Sequence, residues 1–190
     1  VSWLCAYISN YLFVPLLFTY RGAVVAGQMG MSLKISGLVY LLSMAWINTR
    51  SPKFGSLIQQ GQIQKLEKES FKCSFQAVVV GFVLSAFACM CLFCIAYFQP
   101  TYSQRTLHPM IVSLLCLGSV TGVIMSAIGG YLRAYKQEPL MWISIVLGLV
   151  ISAIAYVSAR FFNASAMAVM LFFANLLIGV PLHVFMLHTK

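Results

Sequence analysis

Between Ala77 and Phe98 no side chain carries a charge, and this pattern recurs along most of the chain. A helix of about 20 apolar residues crosses the hydrocarbon of a bilayer while satisfying its backbone polar groups internally. Six such runs are present: Trp3–Tyr20, Val24–Trp46, Ala77–Phe98, Pro109–Leu132, Leu140–Ala159 and Ala166–Leu187. The expected fold is all-α, a polytopic membrane protein whose six transmembrane helices form one lobe over residues 1–190, with a polar connector at about 47–76. Charged residues make up 8% of the chain, against about 25% in soluble domains, so no soluble globular domain is expected. Val1 stands where Met would begin a chain, and no charged segment precedes the first apolar run. A start inside a longer protein is the expectation, rather than a signal peptide.

The net charge of +9 raises the question of nucleic acid. The cations lie in short connections between apolar runs, which is where membrane topology places them, so no nucleic-acid partner is expected. If the six helices alternate, Arg50, Lys53, Lys65, Lys68, Lys72, Arg133, Lys136 and Lys190 share one side, and Arg21, Arg105 and Arg160 the other. An excess of Lys and Arg in short loops marks the cytoplasmic side, which puts both ends of the chain there.

The connector opens with Ser51 and Pro52, a pairing suited to a helix start. Phe54, Leu57 and Ile58, then Leu66 and Phe71 after Gly61, recur at helical spacing among Gln, Lys and Glu. One or two short amphipathic helices on the inner membrane surface are expected, with an acidic-lipid contact among their conceivable roles. Gly118, Gly122, Ser126 and Gly130 repeat every fourth residue in the fourth run, as do Ser144, Gly148 and Ser152 in the fifth. Such stripes allow close helix approach, and the short link between the runs predicts an antiparallel hairpin packed along them. Pro15 and Pro181 should each disturb a helix.

Chemistry is scarce. Cys91 and Cys94 have CxxC spacing, but they lie in an apolar run that lacks the electropositive setting a redox pair needs. No His, Cys, Asp or Glu grouping has metal-site spacing, no GxxxxGKS loop is present, and no acid–base pair lies at membrane depth. No enzyme activity, metal or cofactor is expected. What remains is Lys34, the lone cation inside Val24–Trp46. The chain has no Asp, and Glu67, Glu69 and Glu138 all fall in predicted connections, so no acid within these runs can neutralise Lys34. A charge at the bilayer centre is costly and as a rule faces a bundle interior or a watery cavity. Helical spacing puts Gly27, Gly30, Gly37 and Leu41 on the Lys34 face, and Gln28, Ser32, Ser36 and Ser43 on the opposite face. With polar groups on both faces, this helix is expected inside the bundle. Lys34 with Gly27, Gly30 and Gly37 is the candidate binding site for an anionic ligand, the competing reading being a lysine bonded to a neighbour's carbonyls.

Three segments carry a resemblance. Gly129-Gly130-Tyr131-Leu132-Arg133-Ala134-Tyr135-Lys136-Gln137-Glu138-Pro139-Leu140 resembles the YLRAxxxEP signature of bacterial polysaccharide flippases, the O-antigen and related lipid-linked oligosaccharide translocases of the MATE-like MOP superfamily. Ala26-Gly27-Gln28-Met29-Gly30-Met31-Ser32 is similar to their AGQFGMT segment, and Trp46–Gly61, with Pro52 and the LIQQG ending, to their cytoplasmic connector. In order and spacing the likeness covers nearly the whole chain. It implies the C-terminal six-helix lobe of a two-lobed inner-membrane transporter. The implied cargo is an undecaprenyl-pyrophosphate-linked oligosaccharide for surface polysaccharide such as lipopolysaccharide O-antigen, moved by alternating access.

Under that resemblance Lys34 maps onto the family's cationic lumen, and Arg133, Glu138 and Pro139 form a signature with a topological or gating role at the cytoplasmic end. The partners implied are the lipid-linked substrate, the bilayer, an N-terminal lobe and polysaccharide polymerase machinery. Rival readings are an exporter of small cationic molecules, which needs a membrane carboxylate absent here, a membrane-embedded glycosyl- or acyltransferase, and a non-transporting scaffold subunit.

Overall fold

The computed structural model describes residues 11–99, 105–134 and 140–188. Among them every regular element is helical: α1 (Phe13–Arg21), α2 (Ala23–Asn48), α3 (Ser51–Gln59), α4 (Ile63–Phe98), α5 (Pro109–Ala134), α6 (Leu140–Phe161) and α7 (Ala164–Ala174), then a π-helical turn (Asn175–Gly179) and α8 (Val180–His188). Among the described residues four stretches are long and apolar enough to cross a membrane: Ala23–Gln59, which contains α2 and α3, Ile63–Phe98, Pro109–Leu132 and Ala164–Val184. Ile145–Phe161 is a shorter apolar helix. The chain is thus an all-α protein with the makings of a membrane bundle.

Glycine sets two of the breaks. Gly22 has φ 90° and ψ 171°, a conformation that L side chains rarely adopt, and it lets α2 leave α1 after a single residue. Gly61 has φ 69° and closes α3 as a Schellman cap. Its N–H donates to the carbonyl of Ile58, and the N–H of Gln62 donates to that of Leu57, both at 3.0 Å. The LIQQG run is therefore a helix stop written in glycine. At the other end of α3 the start is displaced by one residue from expectation: Arg50 holds the N-cap position and Ser51 is already helical, with Pro52 in the first turn.

The largest departure from the sequence reading is the connector. Ile63–Gln76 is no separate surface helix but the first part of α4, which runs unbroken for 36 residues. At 1.5 Å per residue it measures about 53 Å, against about 30 Å of bilayer hydrocarbon. Its apolar part ends near Ala77, and the polar stem beyond projects past the hydrocarbon. The amphipathic α3 seats Phe54 and Leu57 against this stem, in a cluster with Ile47, Leu66, Cys73, Ala77, Val123 and Ala127. An ion pair of 3.4 Å joins Lys53 of α3 to Glu69 of α4.

The frame of the bundle is α2, α4 and α5 packed mutually, with α1 laid on α2, and α7 wedged between α5 and α6. A second core cluster, including Leu17, Met29, Val112, Cys116 and Met167, lies among α1, α2, α5 and α7. Among the described residues the small-residue stripe of α5 meets α2 and α7, where the sequence pattern anticipated α6. A Cβ on Gly118 would touch Phe172 of α7 at 3.5 Å, and one on Gly122 the Tyr40 ring of α2 at 3.6 Å. The Tyr40 hydroxyl then shares a 2.8 Å hydrogen bond with Ser126, one turn further along the same stripe. Gly118, Gly122 and Ser126 of α5 are thus sockets for aromatic side chains from other helices.

At Gly179 of the π turn a Cβ would lie 2.8 Å from the flexible end of Met125, and a second tight approach falls at Gly81 of α4, which the sequence patterns did not single out. A Cβ there would stand 3.1 Å from the Ser43 hydroxyl and 3.3 Å from a methyl of Val120. Pro15 falls in the first turn of α1, where its missing N–H breaks no helical bond. Pro181 does disturb its helix: it follows the π turn, in which Val180 donates to the carbonyl of Asn175.

Candidate functional site

Lys34 lies near the middle of α2, about 17 Å along the axis from Ala23 and about 21 Å from Asn48. The side of α2 that carries it is open. Gly27, Met31, Lys34, Gly37, Leu38 and Leu41 are exposed, and a Cβ on Gly27 or Gly37 would meet nothing within 4 Å. Gly30 departs from the expected trio, since a Cβ there would touch Val14 of α1 at 3.6 Å; it seats α1 and does not widen the open face.

The serine side is the one the bundle covers. Ser32, Ser36 and Ser43 are buried together with Ala26, Met29 and Val39. Each hydroxyl returns its proton to a carbonyl one turn back: Ser32 to Gln28 at 2.7 Å, Ser36 to Leu33 at 3.1 Å and Ser43 to Val39 at 2.7 Å. A serine can bury itself in this way because one helical turn supplies its acceptor. These groups also stitch neighbours. The Leu107 N–H donates to the Ser32 oxygen at 3.0 Å, and Ser119 of α5 donates to the Ser36 carbonyl at 2.7 Å. The expectation that α2 lies wholly inside the bundle is corrected: one side is packed, and the lysine side faces away from the described residues.

Lysine cannot follow serine's solution, because its ammonium sits several bonds from the backbone and needs water or an anion. Among the described residues no acid lies against it, the one ion pair being that of Lys53 and Glu69 at the α4 stem. Nor is there a grouping of His, Cys, Asp or Glu that could hold a metal ion among the described residues. An apolar groove of about 380 Å³ lies elsewhere, between Ile154 of α6 and Met170, Phe173 and Leu177, and it has no polar group to orient a ligand.

The signature residues are placed only in part. Arg133 falls in the last turn of α5, while Glu138 and Pro139 lie outside the described residues. At the opposite end of the bundle, Arg21 donates to the carbonyls of Ala159 and Arg160 at 3.2 and 3.4 Å, closing the C-terminus of α6 onto α1. Arg160 reaches the Tyr156 hydroxyl at 3.2 Å, and the Tyr156 ring meets that of Tyr20 edge-on at 6.0 Å. This stitch was absent from the sequence reading, although a basic residue at a helix end beside aromatics is its usual trace. It binds two helix ends and leaves Lys34 as the candidate for chemistry.

No known protein family, no curated protein and no solved structure matches this chain. What the fold and site define is a class, an α-helical bundle suited to a membrane, with Lys34 near the middle of an open helix face and no acid against it among the described residues.

Proposed function

We propose that this chain is one six-helix lobe of a flippase that carries an undecaprenyl-pyrophosphate-linked oligosaccharide across the bacterial inner membrane for surface polysaccharide synthesis. The observation that carries the reading is Lys34: a cation near mid-helix, on a face lined by Gly27 and Gly37 that the lobe itself leaves uncovered. The YLRAxxxEP-like and AGQFGMT-like segments supply the cargo.

In this reading the open face of α2 lines a central cavity completed by a second lobe. Glycines keep that wall smooth beside a bulky headgroup, and the ammonium acts on the diphosphate as a point charge. No bond is made or broken, and no cofactor is needed. Access alternates as one lobe rocks against the other, with Arg133, Glu138 and Pro139 in a topological or gating role at the cytoplasmic end. Both chain ends lie in the cytoplasm, and polymerase machinery acts on the delivered cargo.

The test is surface glycan display by cells that depend on the full-length protein. Lys34→Ala should abolish or strongly reduce display at near-normal protein level, Lys34→Arg should retain part of it, and Lys34→Glu should be worst. Normal display by the Ala variant would remove Lys34 from the mechanism. A loss that tracks protein level would return Lys34 to a structural role.

A further inference from the structure

The stem of α4 carries a feature that transport through Lys34 does not use. Lys65, Lys68 and Lys72 are all exposed. At 100° per residue they fall within about 60° of one another, on the side of α4 opposite Leu66, Ser70, Cys73 and Ala77, which pack into the protein. They therefore point away from the bundle. The same stripe continues towards the membrane as Phe75, Val79, Phe82, Val83, Phe87 and Met90, all exposed, which is the composition of a lipid-facing surface. Phe71, 76% exposed, flanks the changeover from apolar to basic.

The acids nearby do not cancel this charge. Glu69, on the edge of the stripe, is held by Lys53 of α3 at 3.4 Å. Glu67 projects about 100° or more from each of the lysines. The seated α3 thus takes up one carboxylate and leaves a row of ammonium groups spaced over about 10 Å of helix. Measured along the helix from Phe75, Lys72 stands about 5 Å, Lys68 about 11 Å and Lys65 about 15 Å further out, so Lys72 lies nearest the lipid phosphates and the other two stand over them within about a Debye length.

We propose that Lys65, Lys68 and Lys72 form a binding strip for anionic phospholipid headgroups, with the acyl chains lying along Phe75, Val79 and Phe82 of the same helix. The occupant is lipid and not a protein, because the basic row runs without interruption into the apolar stripe that a bilayer must cover. Juxtamembrane lysines attract anionic lipid surfaces, and the attraction weakens with salt. This proposal does not depend on the cargo assigned to Lys34.

The test places the full-length protein in bilayers of phosphatidylcholine containing a trace of spin-labelled phosphatidylglycerol or spin-labelled phosphatidylcholine. The motionally restricted fraction should favour the phosphatidylglycerol label, and raised salt should diminish the preference. Each lysine replaced by glutamine should weaken it by about fivefold or less, and the triple variant Lys65→Gln, Lys68→Gln, Lys72→Gln should abolish it. The triple Arg variant should keep it, and Arg105→Gln, which removes a charge elsewhere, should leave it unchanged. Should the triple Gln variant fail to fold, the single Lys68→Gln variant and the salt series in wild type carry the test. Equal restriction of both labels in wild type would overturn the proposal. So would a preference that survives the Gln replacements, or binding of soluble poly-glutamate to the strip in its place.

Discussion

The two sides of α2 put polar groups at similar depth and solve the problem differently. On one side Ser32, Ser36 and Ser43 are buried and bonded to carbonyls of their own helix. On the other, Lys34 stands among glycines with no acid against it among the described residues. Hydroxyls carry their solution with them, so a bundle can close over them at little cost. An ammonium must be solvated by water or an anion, and the described residues place no acid against it. The contrast teaches that polarity in a membrane helix informs about function only where the group cannot be satisfied locally.

The comparison breaks most visibly by labelling. In the full-length protein a single cysteine at Gly37 should react readily with a maleimide if water reaches the lysine side, whereas one at Ser43 should stay protected. The thiolate is the reactive form and cannot arise in hydrocarbon. Equal protection of both positions would mean that lipid or packed protein covers Lys34.

Next in size is the asymmetry of glycine. Gly81→Leu must force apart Ser43 and Val120, which stand 3.1 and 3.3 Å from a single added carbon, and should cost on the order of 1–3 kcal/mol. Thermal unfolding in detergent should detect this as a lower midpoint and a lower folded yield. Gly37→Leu should leave that midpoint unchanged or raised, since open space surrounds it and glycine is a poor helix former, by about 1 kcal/mol relative to alanine. A matching loss in both variants would show that Gly37 is packed after all.

The smallest effect concerns Tyr40. Tyr40→Phe removes the 2.8 Å bond to Ser126 but keeps the ring over Gly122. A loss of about 0.6 kcal/mol is expected, in line with single interhelical hydrogen bonds in membrane proteins. A much larger loss would mean that the hydroxyl, rather than the ring, holds α2 on α5.

Much of this was legible in the sequence, for identifiable reasons. The sorting of serines and lysine onto opposite sides of α2 follows from its 3.6-residue period, and the LIQQG stop from the positive φ that Gly61 alone supplies cheaply there. The length of α4 was missed because hydropathy ends where the hydrocarbon ends. Gln64, Lys65, Glu67, Lys68 and Glu69 are sound helix formers, and no breaker separates them from Ala77. A short link between the fourth and fifth runs pointed to α6 as the partner of the α5 stripe, but the described contacts of Gly118 and Gly122 go to Phe172 and Tyr40, which no spacing rule names. Gly81 was overlooked because it belongs to no repeat, and its importance is set by residues distant in sequence.

The length of α4 also has a mechanical meaning. One end carries exposed lysines, which the proposed strip places among headgroups, and at the other Tyr97 and Phe98 meet edge-on at 5.2 Å with both rings exposed, 82% and 75%. Aromatic and basic side chains at opposite ends act as floats at the two faces of a bilayer. Sliding α4 along the membrane normal would drag lysines into oil or lift aromatic rings into water. Tilting costs far less, since both sets of floats can stay at their own surfaces. A bundle built around such a strut is stiff to piston strokes and soft to leaning, so its easiest large motion is a rock about an axis in the membrane plane.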